Sequence, residues 1–133
     1  MKKDQKHILL VEDETDLRNL YQMLIEGEGY QVTTAADGKE GLAQIKKGGF
    51  DLVLLDIMLP FIDGLEILES TAKDSSAKQP PSTIVLLTNL AQDQTVAKAI
   101  ELGARGYLVK SDHDPDELLV AINQFIQQSA VAA

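Results

Sequence analysis

The chain contains no cysteine, so neither a disulfide nor a thiolate metal site is open to it. It also lacks any apolar run long enough to span a bilayer. The basic start, MKKDQK, leads only into Ile8–Val11 before acids intervene, which is too short for a secretory signal and predicts a cytoplasmic protein. An excess of positive charge is missing as well. The formal net charge is −9, which argues against nucleic-acid binding by this chain. No repeat, low-complexity linker or change of composition divides it. What is present is 133 residues, 44% hydrophobic and 25% charged, the profile of one globular domain with a core of its own.

Strand-like and helix-like patterns alternate five times. HILLVE (7–12) is a short apolar run. Leu17, Leu20, Tyr21, Leu24 and Ile25 then recur at helical spacing, closed by Gly27 and Gly29. YQVTTAA (30–36) alternates like an outer strand, and 37–49 is a helix ended by Gly48 and Gly49. DLVLLD (51–56) and TIVLLT (83–88) are apolar throughout their interiors, as parallel strands covered on both faces should be. Between them lie a helix over 63–74 and a loop over 75–82, where Pro80–Pro81 cannot continue a helix. A helix at 91–103 and a strand at 104–110 follow. The last helix has a strong entry signal: Asp114 as cap, Pro115 in first position, and Glu117 at capping-box spacing. The tail from 127 is expected to fray. Strict alternation predicts an α/β fold, a parallel sheet with helices on both faces, and a site beyond the carboxyl ends of the strands.

Those ends are chemically distinctive. Strand one ends in Glu12–Asp13, strand three in Asp56, strand four in Thr88 and strand five in Lys110. Each alone is an ordinary cap, loop or solvent-facing residue. Together they place carboxylates, a hydroxyl and an ammonium at one sheet edge. Clustered carboxylates need a cation or protons. Oxygen donors without nearby His or Cys suit Mg²⁺ or Mn²⁺. Such a set, with Lys110 and Thr88, can cradle a phosphoryl group, for which Asp56 offers a nucleophilic carboxylate.

The ordered motifs LLVEDE (9–14), LLDIMLPFIDG (54–64), LLTNL (86–90) and GYLVK (106–110) resemble the receiver domain of two-component response regulators. The resemblance covers about residues 7–128. It implies a doubly wound, flavodoxin-like fold of five parallel strands in the order 2-1-3-4-5 with five helices. The expectation is a single receiver domain over 1–133 with no output domain in this chain. It further implies that Asp56 is the phosphoacceptor. Asp13 is then a direct Mg²⁺ ligand, Glu12 acts through water, and the Met58 backbone carbonyl is the third protein ligand. Thr88 is the implied switch hydroxyl, Lys110 the partner of a phosphoryl oxygen, and Tyr107 the aromatic that turns inward when Thr88 moves. The implied partners are a sensor histidine kinase or phosphotransfer protein and a downstream target protein. That target reads the surface of the fourth helix, fifth strand and fifth helix. Neither nucleic acid nor membrane is expected to bind, and the only catalysis expected is of the chain's own phosphorylation and dephosphorylation.

Four positions depart from the family pattern. Ser111 stands where proline, commonly after a cis bond, is usual. A cis bond to a non-proline residue costs about 2.5–4 kcal/mol, so a trans Lys110–Ser111 bond is expected. Asn89 replaces a small residue beside Thr88. Phe61 and Ile62 make the turn after Pro60 apolar, and local packing is the expected reason, with a partner surface as the alternative. Asp63 is expected to cap the next helix rather than to ligate. Three other readings compete. A receiver-like binding module that works without phosphorylation draws weight from Asn89 and Ser111. A haloacid-dehalogenase-like hydrolase would need an aspartate where Met58 stands. A flavin site would be repelled by the acids of VEDETD.

Overall fold

The computed structural model describes residues 5–74, 78–89 and 93–131. Five strands form one parallel sheet: β1 (His7–Val11), β2 (Gln31–Ala35), β3 (Leu52–Asp56), β4 (Ile84–Thr88) and β5 (Gly106–Val109). Their order is β2-β1-β3-β4-β5, as expected. Five helices connect and follow them: α1 (Thr15–Gly27), α2 (Gly38–Lys47), α3 (Gly64–Lys73), α4 (Asp93–Glu101) and α5 (Pro115–Val131). The expected helix start at 91–92, part of the loop at 75–77, Leu90 of LLTNL and the last two tail residues lie outside the described residues.

The apolar strands sort their side chains by parity. Ile8, Leu10, Leu52, Leu54, Val85 and Leu87 pack against Tyr21 and Ile25 of α1 and Leu118, Ile122 and Ile126 of α5. Leu9, Val11, Val53, Leu55, Ile84 and Leu86 pack the other way, against Ile45, Ile67, Leu68 and Ala99 of α2, α3 and α4. Each strand is thus buried on both faces, which is why its sequence shows no polar alternation. Full burial of each such side chain contributes about 1.5–3 kcal/mol.

Element ends follow local chemistry. Asp63 caps α3, accepting from Glu66 N–H at 2.8 Å while Glu66 accepts from Asp63 N–H. Asp114 and Glu117 exchange the same pair of bonds before α5, at 2.8 and 3.0 Å. Both capping expectations hold. The expected fraying from 127 does not: α5 continues to Val131. The fifth strand is shorter than expected. Lys110 is not its last residue but opens a 3-10 turn, Lys110–Asp112.

Candidate functional site

β3 is the centre of the sheet, and its last residue is Asp56, paired in register with Leu87 of β4. The strand's burial carries the carboxylate with it, so that Asp56 is 5% exposed and Glu12, just past β1, only 1%. The 3-10 turn that ends β5 delivers Lys110. Its ammonium donates to Glu12 Oε1 at 2.5 Å and to Asp56 Oδ2 at 2.9 Å. The second oxygens are engaged too. Glu12 Oε2 accepts from Glu14 N–H at 3.2 Å, and Asp56 Oδ1 from Met58 N–H at 3.3 Å. Thr88 ends β4, the strand between Asp56 and Lys110 in sheet order, and is buried.

Burial pushes the Asp56 carboxyl up to about 6; Lys110 opposes the rise and Glu12 adds to it. Glu12 is also penalised by burial, but its bonds to Lys110 and the Glu14 N–H outweigh that and hold it below the usual range. Burial works against the charge of Lys110, and the two carboxylates more than compensate, so its pKa is raised. One buried cation thus holds two buried anions.

Glu12, Asp13 and Asp56 each offer a carboxylate oxygen within 4.8 Å of the others'. Asp13 is the exposed member, which gives access from solvent. With Lys110 included, three carboxylates and one ammonium leave two negative charges. An all-oxygen set with that charge fits a hard divalent cation.

The residues expected at the site are therefore brought together: Glu12, Asp13, Asp56, Thr88 and Lys110 share one sheet edge. Met58 follows in the adjoining loop, with its side chain exposed. Tyr107, on β5, is exposed. Among the described residues no peptide bond is cis, so Lys110–Ser111 is trans as expected. Ser111 instead donates its hydroxyl to the Asn89 carbonyl at 3.2 Å, tying the loops after β4 and β5 together. The expected packing of the apolar turn holds for Ile62, which lies against the core, and fails for Phe61, which is 75% exposed. A backbone φ of 71° at Phe61 turns its side chain away from the core.

Two contributors were not legible beforehand. Arg18, in the first turn of α1, donates to the carbonyls of Glu12 at 2.9 Å and Asp13 at 3.4 Å, bracing the acidic loop. A cation in the first turn of the helix, six and five residues past the acidic pair, was the available signal. Gly38 at the start of α2 touches the loop after β3, and no sequence pattern announces a contact between a helix start and a loop so far along the chain.

Comparison with known proteins agrees with this geometry. The chain is 38% identical over 126 residues to an uncharacterized transcriptional regulatory protein, YkoG, of Bacillus subtilis, covering 95% of this chain and 53% of that one. It is 38% identical over 125 residues to the transcriptional regulatory protein PcoR of Escherichia coli, covering 93% and 53%. The chain thus spans about half the length of these curated relatives. Among solved structures, a CheY-like receiver domain protein from Methanospirillum hungatei superposes with a TM-score of 0.85 at 31% identity, covering 98% of this chain and 100% of that one. The family model described as the response regulator receiver domain matches residues 8–123, and the chain belongs to that family.

Proposed function

We propose that the chain is a phosphorylation-driven signalling switch with Asp56 as its phosphoacceptor. The observation that carries this reading is a buried carboxylate at the end of the central strand, held by Lys110 within an oxygen cluster open to solvent at Asp13. An Asp56 oxygen bonds to phosphorus as the P–N bond of a phosphohistidine breaks, and the departing imidazole takes up a proton from water. The donor is a histidine kinase or a phosphotransfer protein. Asp13, Asp56 and the Met58 carbonyl would hold Mg²⁺ or Mn²⁺, with Glu12 acting through water. When bound, the ion neutralises charge on the phosphoryl oxygens.

Rigid burial of β3 presents the nucleophile in one orientation. Lys110 already carries a full charge beside Asp56, so it can follow the new oxygens without taking up a proton. The Thr88 hydroxyl donates to a phosphoryl oxygen, and Tyr107 moves inward from its exposed position on β5. The surface of α4, β5 and α5 then changes, and a target protein reads it. Membership of the receiver family supports a signalling role over that of a classical enzyme.

The test is mass spectrometry after treatment with a small acyl-phosphate donor, with and without Mg²⁺. Wild type should gain one phosphoryl group in a Mg²⁺-dependent way, and Asp56→Asn should gain none. An adduct that survives Asp56→Asn would overturn the assignment.

A further inference from the structure

The loop between β3 and α3 contains one unusual link. Ile62 N–H donates to the Pro60 carbonyl, two residues back, at 2.9 Å. That closes a γ-turn centred on Phe61, whose φ of 71° marks the rare, strained form of this turn. Phe61 is the only non-glycine at positive φ among the described residues. Its side chain does not compensate the strain by burial; the ring is exposed, with Lys39 Nζ lying 5.6 Å above it. The constraint comes from outside the loop. The same Pro60 carbonyl also accepts from Gly38 N–H, at 3.2 Å, at the first residue of α2.

Gly38 is not there for conformational freedom. It opens a helix and does not have positive φ, so other residues could adopt its backbone geometry. Space is the reason. A Cβ at position 38 would lie 1.8 Å from the Ile62 carbonyl oxygen and 2.7 Å from its carbon, both backbone atoms that no rotamer change can move. At the loop's other end Gly64 N–H donates to Ile57 O at 2.8 Å, and a Cβ on Gly64 would meet the Asp56 carbonyl at 2.3 Å. The segment carrying Met58 is therefore closed by Gly64 and pressed into shape by Gly38.

We propose that Gly38 is a positioning residue for the phosphoacceptor site. By clamping the γ-turn at Phe61 it holds the β3–α3 loop, and with it the Met58 backbone, in the form that receives the metal. This rests on the proposed role of Asp56 and its neighbours in Mg²⁺-dependent phosphorylation.

The experiment uses the full chain in calorimetric titration with Mg²⁺, with acyl-phosphate labelling at low and saturating Mg²⁺ and a thermal melt of each variant. Gly38→Ala should weaken Mg²⁺ binding by about tenfold, the scale of a lost outer-shell support. Labelling should slow at low Mg²⁺ and recover at saturation, a split that mere destabilisation would not produce. A folded Gly38→Ala with wild-type affinity overturns the proposal. Where Gly38→Ala does not fold, Phe61→Val decides. A β-branched residue resists positive φ, so the turn should open and Mg²⁺ affinity should fall with Gly38 and every oxygen ligand unchanged; a folded Phe61→Val with wild-type affinity overturns the proposal. If wild type itself neither binds Mg²⁺ nor labels on Asp56, the underlying functional reading fails instead, and the two failures are distinguished.

Discussion

At Asp56, burial and the Lys110 ammonium act in opposite directions on one carboxyl, and burial prevails, raising its pKa to about 6. The sign of the consequence follows from proton counting. Below about pH 4 the folded and unfolded chains both carry the Asp56 proton, and it contributes nothing. Between about pH 4 and 6 only the folded chain keeps it, so stability falls as pH rises. Above that the full penalty stands. Glu12, with its pKa lowered, gives the opposite slope, losing stability as acid protonates it. Asp56→Asn removes the first contribution and, with it, the ion pair to Lys110. Chemical denaturation should find the stability of this variant relative to wild type rising by on the order of 3 kcal/mol from pH 4 to pH 7, at 1.36 kcal/mol per pKa unit. The residue identities needed for this were plain in the sequence. The contest between burial and pairing was not, because it depends on Lys110 reaching Asp56 across β4.

Among the elements, the junction before β4 shows how a loop is anchored. Gln79 is 2% exposed. Its side chain accepts from Phe50 N–H at 3.0 Å and donates to the Phe50 carbonyl at 2.7 Å and to Thr83 Oγ1 at 2.8 Å. The amide thus replaces a strand partner at the entrance to β3 and fixes the Pro80–Pro81 turn that starts β4. Gln79→Ala should cost on the order of 2 kcal/mol in urea denaturation, because it strands buried backbone groups. Asp56 labelling at 25 °C should remain at the wild-type rate, since Gln79 belongs to the opposite edge of the sheet from Asp56. Strand and helix positions here were legible from periodicity and caps: Asp63 and Asp114 announce α3 and α5 in the sequence. Gln79 was not legible, for its run, SSAKQPPS, has the composition of a solvated loop. Phe61 misled in the other direction, since an apolar side chain suggests burial and only the backbone turn points it outward.

For the whole molecule, a proton and the proposed metal would compete for the same edge. A divalent ion entering the cluster would displace the proton that Asp56 holds below about pH 6. Calorimetric Mg²⁺ titrations should therefore show affinity constant above about pH 6 and falling by up to about tenfold per pH unit below it. Heat of binding should vary with buffer in the acidic range only. The architecture behind this was determined by the sequence alone. Five alternating apolar and amphipathic segments bury their surface as a parallel sheet between two helical layers, and a parallel sheet brings the carboxyl ends of its strands to one edge. Glu12, Asp13, Asp56, Thr88 and Lys110 could be placed there because each closes or follows a strand. Tertiary structure alone decided the rest: that Lys110 bridges both buried carboxylates, that Ser111 reaches the Asn89 carbonyl, and that Gly38 presses on the turn at Phe61. These are contacts between segments far apart in the chain. Their distances come from how helices and loops seat on the sheet, and no local pattern of residues encodes that seating.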